Sequence, residues 1–235
     1  MNRLSHPNVV KLFDTFRDSS NAYLSYELCE EGDLWTEARR VGCQQDRLLF
    51  YLTQLVNAVE YLREQQVVHR DIKCENLAYD VPRPPATPNG KMVLVDFGLA
   101  TRFSVDSPKL TRPCGTIPFA SPQILRRAEY DGFKNDVWSL GVVALEMAVG
   151  PEALRAVMAV PGAEPTQQIA EDFESFFRHP GTYQAMLTEA EYPAARWVHS
   201  YTGAALQLAE DARASAADLL DLIPRRDEVV STFDS

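Results

Sequence analysis

The densest run of reactive side chains in the 235-residue chain is Val67-Val68-His69-Arg70-Asp71-Ile72-Lys73-Cys74-Glu75-Asn76, an ionic stretch flanked by apolar residues. Asp71 can accept a proton. Lys73, two residues on, can neutralise an anion, and Asn76, three beyond, offers an amide oxygen of the kind Mg²⁺ takes. This set suits transfer of a charged phosphoryl group to a hydroxyl. Twenty residues past Asn76, after the strand-like Met92-Val93-Leu94-Val95, Asp96-Phe97-Gly98 supplies a second metal ligand, a carboxylate. Alone, a His-Arg-Asp is as readily an ion-paired surface loop and an Asp-Phe-Gly a strand-end turn. In this order and spacing each strengthens the other.

The elements that must position these groups lie on both sides. Over residues 46–65, Leu48, Leu52, Leu55, Val59 and Leu62 recur at alternating steps of four and three, which predicts an amphipathic helix leading into the loop. Residues 76–80 and 91–96 read as a two-strand unit around 81–90, whose four prolines and Asn89-Gly90 make a solvated, semi-rigid loop: a simple insertion, or a polyproline ligand for a partner. Upstream, His6-Pro7-Asn8 opens a β-rich run to Phe13, 22–27 is a second strand, and 17–21 is the hairpin loop between them. Downstream, 135–149 is apolar nearly all round, as a helix in the middle of a core must be. Residues 167–178, 194–201 and 204–210 read as helices. Ser215-Ala216-Ala217-Asp218 reads as a capping box opening a last helix through Leu222, which Pro224 stops.

Composition narrows the class. With 46% apolar and 10% aromatic residues the chain can bury a sizeable core, and a net charge of -10 excludes the broad basic face of a nucleic-acid binder. The most apolar run, 137–149, is too short for a membrane span and contains Glu146. Cys29, Cys43, Cys74 and Cys114 lack Cys-x-x-Cys spacing, which points to free thiols in an intracellular, cytoplasmic setting. His6, His179 and His199 have no ligand-like companions and read as surface or packing residues.

The catalytic-loop run and Asp96-Phe97-Gly98, with Gly115-Thr116 and Asp136-Val137-Trp138-Ser139-Leu140-Gly141, resemble the eukaryotic protein kinases. Ile72 stands for the usual Leu, and Lys73 is of the serine/threonine type. The resemblance implies an α+β, protein-kinase-like fold: residues 1–29 a remnant of the β-rich small lobe and hinge, 30–223 the mostly helical large lobe, 224–235 a tail. It implies ATP and Mg²⁺, a protein substrate, and a regulatory partner or upstream kinase. By the same resemblance Asp71 accepts the substrate hydroxyl proton, Lys73 neutralises the γ-phosphate, and Asn76 with Asp96 holds the metal. Tyr26 is the gatekeeper, and the backbone of Glu27 and Cys29 meets the adenine edge, with Ala78 beneath it. Asp33 holds the ribose or caps the helix that follows. His69 and Phe97, with Leu12 above, form an apolar spine. Thr116 bridges Asp71 and Lys73. Arg70 receives an activation-segment phosphate, with Thr111 as first acceptor and Thr101, Ser104 and Ser107 behind it. Asp136 bonds the backbone around His69, or is a plain N-cap. Glu30, Glu31, Asp33 and Glu75 at the cleft mouth favour basic substrates.

Three departures from the family pattern matter. Phe119 replaces a Tyr, and Ser121-Pro122-Gln123 replaces Ala-Pro-Glu, so Arg213 meets an amide where the family has a carboxylate; a less stable activation segment follows. No Gly-x-Gly occurs, and Val9-Val10-Lys11 mimics the phosphate-clamping Lys strand but falls on the next strand along. Two readings stand: a fragment of an active kinase, or a scaffold that lacks the phosphate-covering half.

Overall fold

A computed structural model describes residues 4–36, 45–80, 90–103, 109–150, 154, 167–189 and 196–225. The loop expected at 81–89, Ser104, Ser107, Cys43, residues 194–195 and the tail from 226 lie outside the described residues.

The N-terminal part is a hairpin. β1 (Leu12–Arg17) and β2 (Ala22–Tyr26) pair antiparallel, with Thr15 opposite Leu24 and Phe16 opposite Tyr23. Asp18 closes the turn: its carboxylate accepts from the Ser20 and Asn21 amides at 2.7 Å and from the Tyr23 hydroxyl at 2.9 Å. Phe13, Phe16, Tyr23 and Leu24 remain exposed, because a two-stranded ribbon has no second layer to cover them.

α1 (Gln45–Glu64) buries Leu48, Leu52, Leu55, Val59 and Leu62, the face its periodicity marks. It runs through Gln66, at φ 56°, into the two-residue strand β3 (Val67–Val68). β4 (Leu77–Asp80) pairs with β5 (Lys91–Leu94), Leu77 opposite Leu94, and β6 (Thr101–Arg102) returns to pair with β3. Two short ladders therefore clamp the ends of both chemistry-bearing loops. The hairpin is joined to this unit beside β5: Leu94 N–H donates to Asn8 O at 2.9 Å and Val10 N–H to Leu94 O at 3.0 Å. The Asn8 amide donates to Met92 O at 2.7 Å and Gln54 Oε1 at 2.6 Å.

The helical part is α2 (Pro122–Leu125), α3 (Gly132–Val149), α4 (Gln167–Arg178), α5 (Pro180–Glu189), α6 (Arg196–Ala205) and α7 (Ala216–Asp221). α3 is buried along nearly its whole length against α1, α5 and α6. It starts three residues before Asn135, where the sequence pattern places it, because Asp131 caps it by accepting from Phe133 N–H at 2.8 Å and Lys134 N–H at 3.2 Å. Gly141 permits the close crossing with α6: a Cβ there would sit 2.7 Å from Leu206 Cδ2 and 2.8 Å from Ala205 Cβ. Trp138 is wholly buried, its ring 4.8 Å from Phe177 and 5.7 Å from Phe173.

The helix expected over 204–210 does not form; α6 ends at Ala205. The carbonyls that would continue it are taken by side chains: Arg213 Nε donates to Gln207 O at 2.7 Å and Gln123 Nε2 to Leu208 O at 2.8 Å. α5 was not legible as a separate helix. The capping box at Ser215 is present, with Asp218 N–H donating to Ser215 Oγ at 3.1 Å and Ser215 N–H to Asp218 Oδ2 at 2.8 Å. Among the described residues no helix is long and apolar enough to cross a membrane, and Cys29, Cys74 and Cys114 are free thiols.

Candidate active site

Asp136, in the second turn of α3 and buried, fixes the start of the loop from His69 to Asn76. His69 N–H donates to its Oδ2 at 2.7 Å and Arg70 N–H to its Oδ1 at 2.9 Å. The N-cap alternative for this residue is excluded, since Asp131 holds that position. Burial pushes the Asp136 carboxyl up to about 7, against the two backbone donors, which favour its ionised form. His69 is buried as well. Its Nε2 donates to Val95 O at 3.0 Å, its Nδ1 accepts from Asp71 N–H at 3.3 Å, and burial holds its pKa down at about 4. The ring is therefore a neutral strut between the two loops. It meets Phe97 edge-on at 4.8 Å between centroids.

The chain then turns sharply, with Arg70 at φ 71°, and the next residues converge. Thr116 Oγ1 donates to Asp71 Oδ1 at 2.7 Å and accepts from Lys73 Nζ at 2.9 Å, while Lys73 Nζ lies 3.2 Å from Asp71 Oδ2. Asn76 Nδ2 donates to Asp71 O at 2.8 Å and to Asp71 Oδ2 at 3.1 Å. The amide nitrogen thus faces Asp71, which turns the Asn76 amide oxygen away from it. Thr116 comes within reach because Gly115, at φ +113°, lets the segment press on the loop; a Cβ there would lie 2.8 Å from Arg70 O.

Asp96 follows Val95, whose N–H donates to Asn76 O at 2.9 Å, so the second loop is registered on the first through the backbone. Asp96 is exposed and left-handed at φ 58°, and one carboxylate oxygen accepts from Gly98 N–H at 3.1 Å. Among the described residues no group of three or more His, Cys, Asp or Glu could hold a metal by itself. One carboxylate and one amide oxygen are nonetheless the hard, sparse donor set that Mg²⁺ accepts when phosphates and water complete it.

The remaining positions lie around this centre. Asp33 Oδ1 accepts from Thr36 N–H at 2.7 Å, the capping arrangement, and its backbone bridges Ala78 on β4. The Glu27 carboxylate accepts from Lys11 N–H at 2.9 Å and lies 3.4 Å from Lys91 Nζ, while Glu27 N–H donates to Lys11 O at 2.9 Å. Cys29 is half-buried beside an exposed Leu28. Arg70 Nε donates to Leu99 O at 2.7 Å; Thr111 is exposed. Tyr130, which the sequence reading passed over, is wholly buried against the segment from Leu110 to Cys114. Its place just before the capped Asp131-Gly132 was the available signal.

A family profile described as "Protein kinase domain" matches residues 1–222. Among curated proteins the chain is 38% identical over 146 residues to sperm motility kinase 2B of Mus musculus, covering 62% of this chain and 28% of that protein. It is 35% identical over 153 residues to CBL-interacting protein kinase 12 of Oryza sativa subsp. japonica, covering 64% and 27%. It is 34% identical over 152 residues to the SNF-related serine/threonine-protein kinase of Rattus norvegicus, covering 64% and 19%. The chain thus spans under a third of the length of these relatives. With the profile spanning nearly the whole sequence and the small N-terminal sheets set on a mostly helical body, the chain belongs to the protein kinase domain family and has its fold.

Proposed function

We propose that this chain carries the catalytic region of a serine/threonine protein kinase, transferring the γ-phosphoryl group of ATP to a protein hydroxyl. The reading is carried by one observation: Asp71, Lys73 and Thr116 form a closed hydrogen-bonded set that also includes the Asn76 amide. Asp71 accepts the proton of the attacking hydroxyl. Two donors already on its carboxylate, Thr116 and Asn76, orient it for that task. Lys73 offers positive charge to the transferred group, and its bond to Thr116 holds the ammonium beside the acceptor. Asn76 Oδ1 and the Asp96 carboxylate are the residues for Mg²⁺, which when bound neutralises charge on the phosphate oxygens. Backbone groups of Glu27 and Cys29 take the adenine edge, Ala78 lies beneath it, and Asp33 is the residue for the ribose. Arg70 and Thr111 belong to control of the activation segment.

A second reading, nucleotide binding or scaffolding without transfer, is favoured by the placement of the lysines. The sequence has five, and the four besides Lys73 are engaged elsewhere. Lys11 lies 5.5 Å over the Phe13 ring, Lys91 faces Glu27, Lys109 pairs with Glu210, and Lys134 donates to the Arg213 carbonyl. None is set beside Lys73 to clamp the other phosphates.

Wild type and Asp71→Asn, compared side by side, decide between them. With Mg-ATP and a serine-containing peptide, the variant should lower phosphate transfer by about 10²- to 10⁴-fold while leaving the melting temperature within a few degrees. Unaltered transfer in the variant would remove Asp71 from the chemistry. An ATP-induced rise in melting temperature with no transfer by the wild-type chain would establish the second reading.

A further inference from the structure

Tyr130 joins three things that the reaction needs in register. Its backbone pairs both ways with the activation segment: Leu110 N–H donates to Tyr130 O at 2.8 Å and Tyr130 N–H to Leu110 O at 3.0 Å. Its hydroxyl donates to Arg112 O at 3.0 Å and lies 3.7 Å from Cys114 Sγ. The Arg70 guanidinium of the catalytic loop faces the same oxygen, yet burial dominates and raises the hydroxyl to about 12. The phenol therefore keeps its proton at neutral pH. That single proton goes to the Arg112 carbonyl, so what faces Arg70 and Cys114 is lone-pair density.

A guanidinium in this place can be met by the oxygens of a phosphate on the activation segment. Here Arg70 Nε is already bonded to Leu99 O at 2.7 Å and its backbone N–H to Asp136, and the Tyr130 hydroxyl near its guanidinium is an uncharged phenol. A second strut lies close by: Glu210 pairs with Lys109 at the start of the segment and accepts from Asp131 N–H, next to Tyr130, at 2.6 Å. Past Cys114, Gly115 presses on the Arg70 carbonyl and delivers Thr116 to Asp71.

We propose that Tyr130 is a positioning residue whose hydroxyl and backbone hold residues 110–116, and through them Thr116, against the catalytic loop without a phosphate on Thr111. The proposal deepens the kinase reading and, for its effect on rate, rests on it. The carbonyl of Arg112 and the thiol of Cys114 both meet this one oxygen, with the Arg70 guanidinium near it, so removing that atom alone should loosen the segment. Ring packing against Ala120 and Ile124 would survive.

The test uses the whole chain after phosphatase treatment, as wild type and as Tyr130→Phe. Hydrogen exchange over residues 109–116 is followed, and steady-state phosphate transfer is measured with Mg-ATP and a serine-containing peptide. The variant should exchange the Leu110 amide about tenfold faster. Its kcat should fall about tenfold with KM for ATP within about twofold, because the nucleotide contacts are untouched. Phosphorylating Thr111 in the variant should restore both. Equal exchange in the two proteins would overturn the proposal. So would a wild type whose exchange over residues 109–116 speeds up about tenfold on phosphatase treatment, an arm that needs no substitution to fold. A slow-exchanging wild type and fast-exchanging variant, neither transferring phosphate, would uphold the proposal and remove the kinase reading instead.

Discussion

The β1–β2 hairpin and helix α3 are rich in the same kinds of side chain and treat them in opposite ways. Phe13, Phe16, Tyr23 and Leu24 are between 48% and 59% exposed, whereas Trp138, Leu140, Val142 and Val143 are wholly buried. The ribbon has one layer and two open faces, while the helix has α1, α5 and α6 around it. The acceptor, the amine and the amide oxygen are tied to the second kind of environment. Asp136 on α3 holds His69 and Arg70, and the loop that follows inherits that rigidity. The geometry around Asp71 is therefore set by the helical core, and the hairpin is joined to it beside β5 through Asn8 and Val10.

The contrast is most sharply broken by removing the ring at its centre. Trp138→Ala should cost about 3–5 kcal/mol in urea unfolding, because Phe173, Phe177 and the Arg213 guanidinium, 5.0 Å from the ring, lose their common partner. A loss below 1 kcal/mol would mean that the aromatic cluster around Trp138 does not hold α3 in place.

Asp136→Asn comes next, at about 2 kcal/mol, since an amide cannot accept from both the His69 and Arg70 N–H groups. It should also change the pH dependence. The folded Asp136 pKa lies above its ordinary value, so the folded state holds that proton more tightly. Its contribution to stability therefore falls as pH rises from about 4 to about 7. His69 acts in the opposite sense. Held neutral with a pKa near 4, it contributes stability that grows as pH rises toward 6.5. Wild type should rise only gently between pH 4.5 and 6.5, because burial lowers His6 as well as His69, and Asp136→Asn should rise more steeply across that interval. Urea midpoints that run parallel in the two proteins would show that Asp136 does not oppose the histidines.

Gln123→Glu tests how well Arg213 is compensated. The guanidinium is buried, its pKa lowered to about 10 by that burial, and its partners are Gln123 Oε1 at 2.5 Å and the carbonyls of Gln207, Leu208 and Lys134. A carboxylate would add charge pairing but forfeit the bond to Leu208 O, for a net gain of about 1 kcal/mol, seen as a higher melting temperature. A lower melting temperature would show the carbonyl cage to be sufficient alone. The smallest effect belongs to the hairpin: Phe16→Ser should move stability by less than about 0.5 kcal/mol. A loss of more than 2 kcal/mol would show that the ribbon face is covered in solution.

Much of this was legible in the chain itself. The step pattern of Leu48, Leu52, Leu55, Val59 and Leu62 marks the face that α1 buries, and the Ser215 box marks where α7 starts, because both are local rules of helix geometry. The meeting of Gln123 with Arg213 followed from motif position, and the structure places them 2.5 Å apart. The end of α6 was not legible: residues 204–210 have helical composition, and the helix stops at Ala205, with Arg213 and Gln123 claiming carbonyls beyond it. Tyr130 was missed for a related reason, since its hydroxyl finds Arg112 and Cys114 only when a distant segment folds over it.

The sequence by itself determined which residues could carry phosphoryl chemistry, the family they belong to, and the faces of the longer helices. Residue type and short-range spacing encode those. The Thr116 bridge between Asp71 and Lys73 that the family resemblance implies is present, whereas the tertiary structure alone decided that Asp136 serves two amides instead of capping a helix. It also decided which buried polar groups find partners. Such bonds join residues tens of positions apart, and whether a buried donor meets an acceptor depends on packing that no local pattern records.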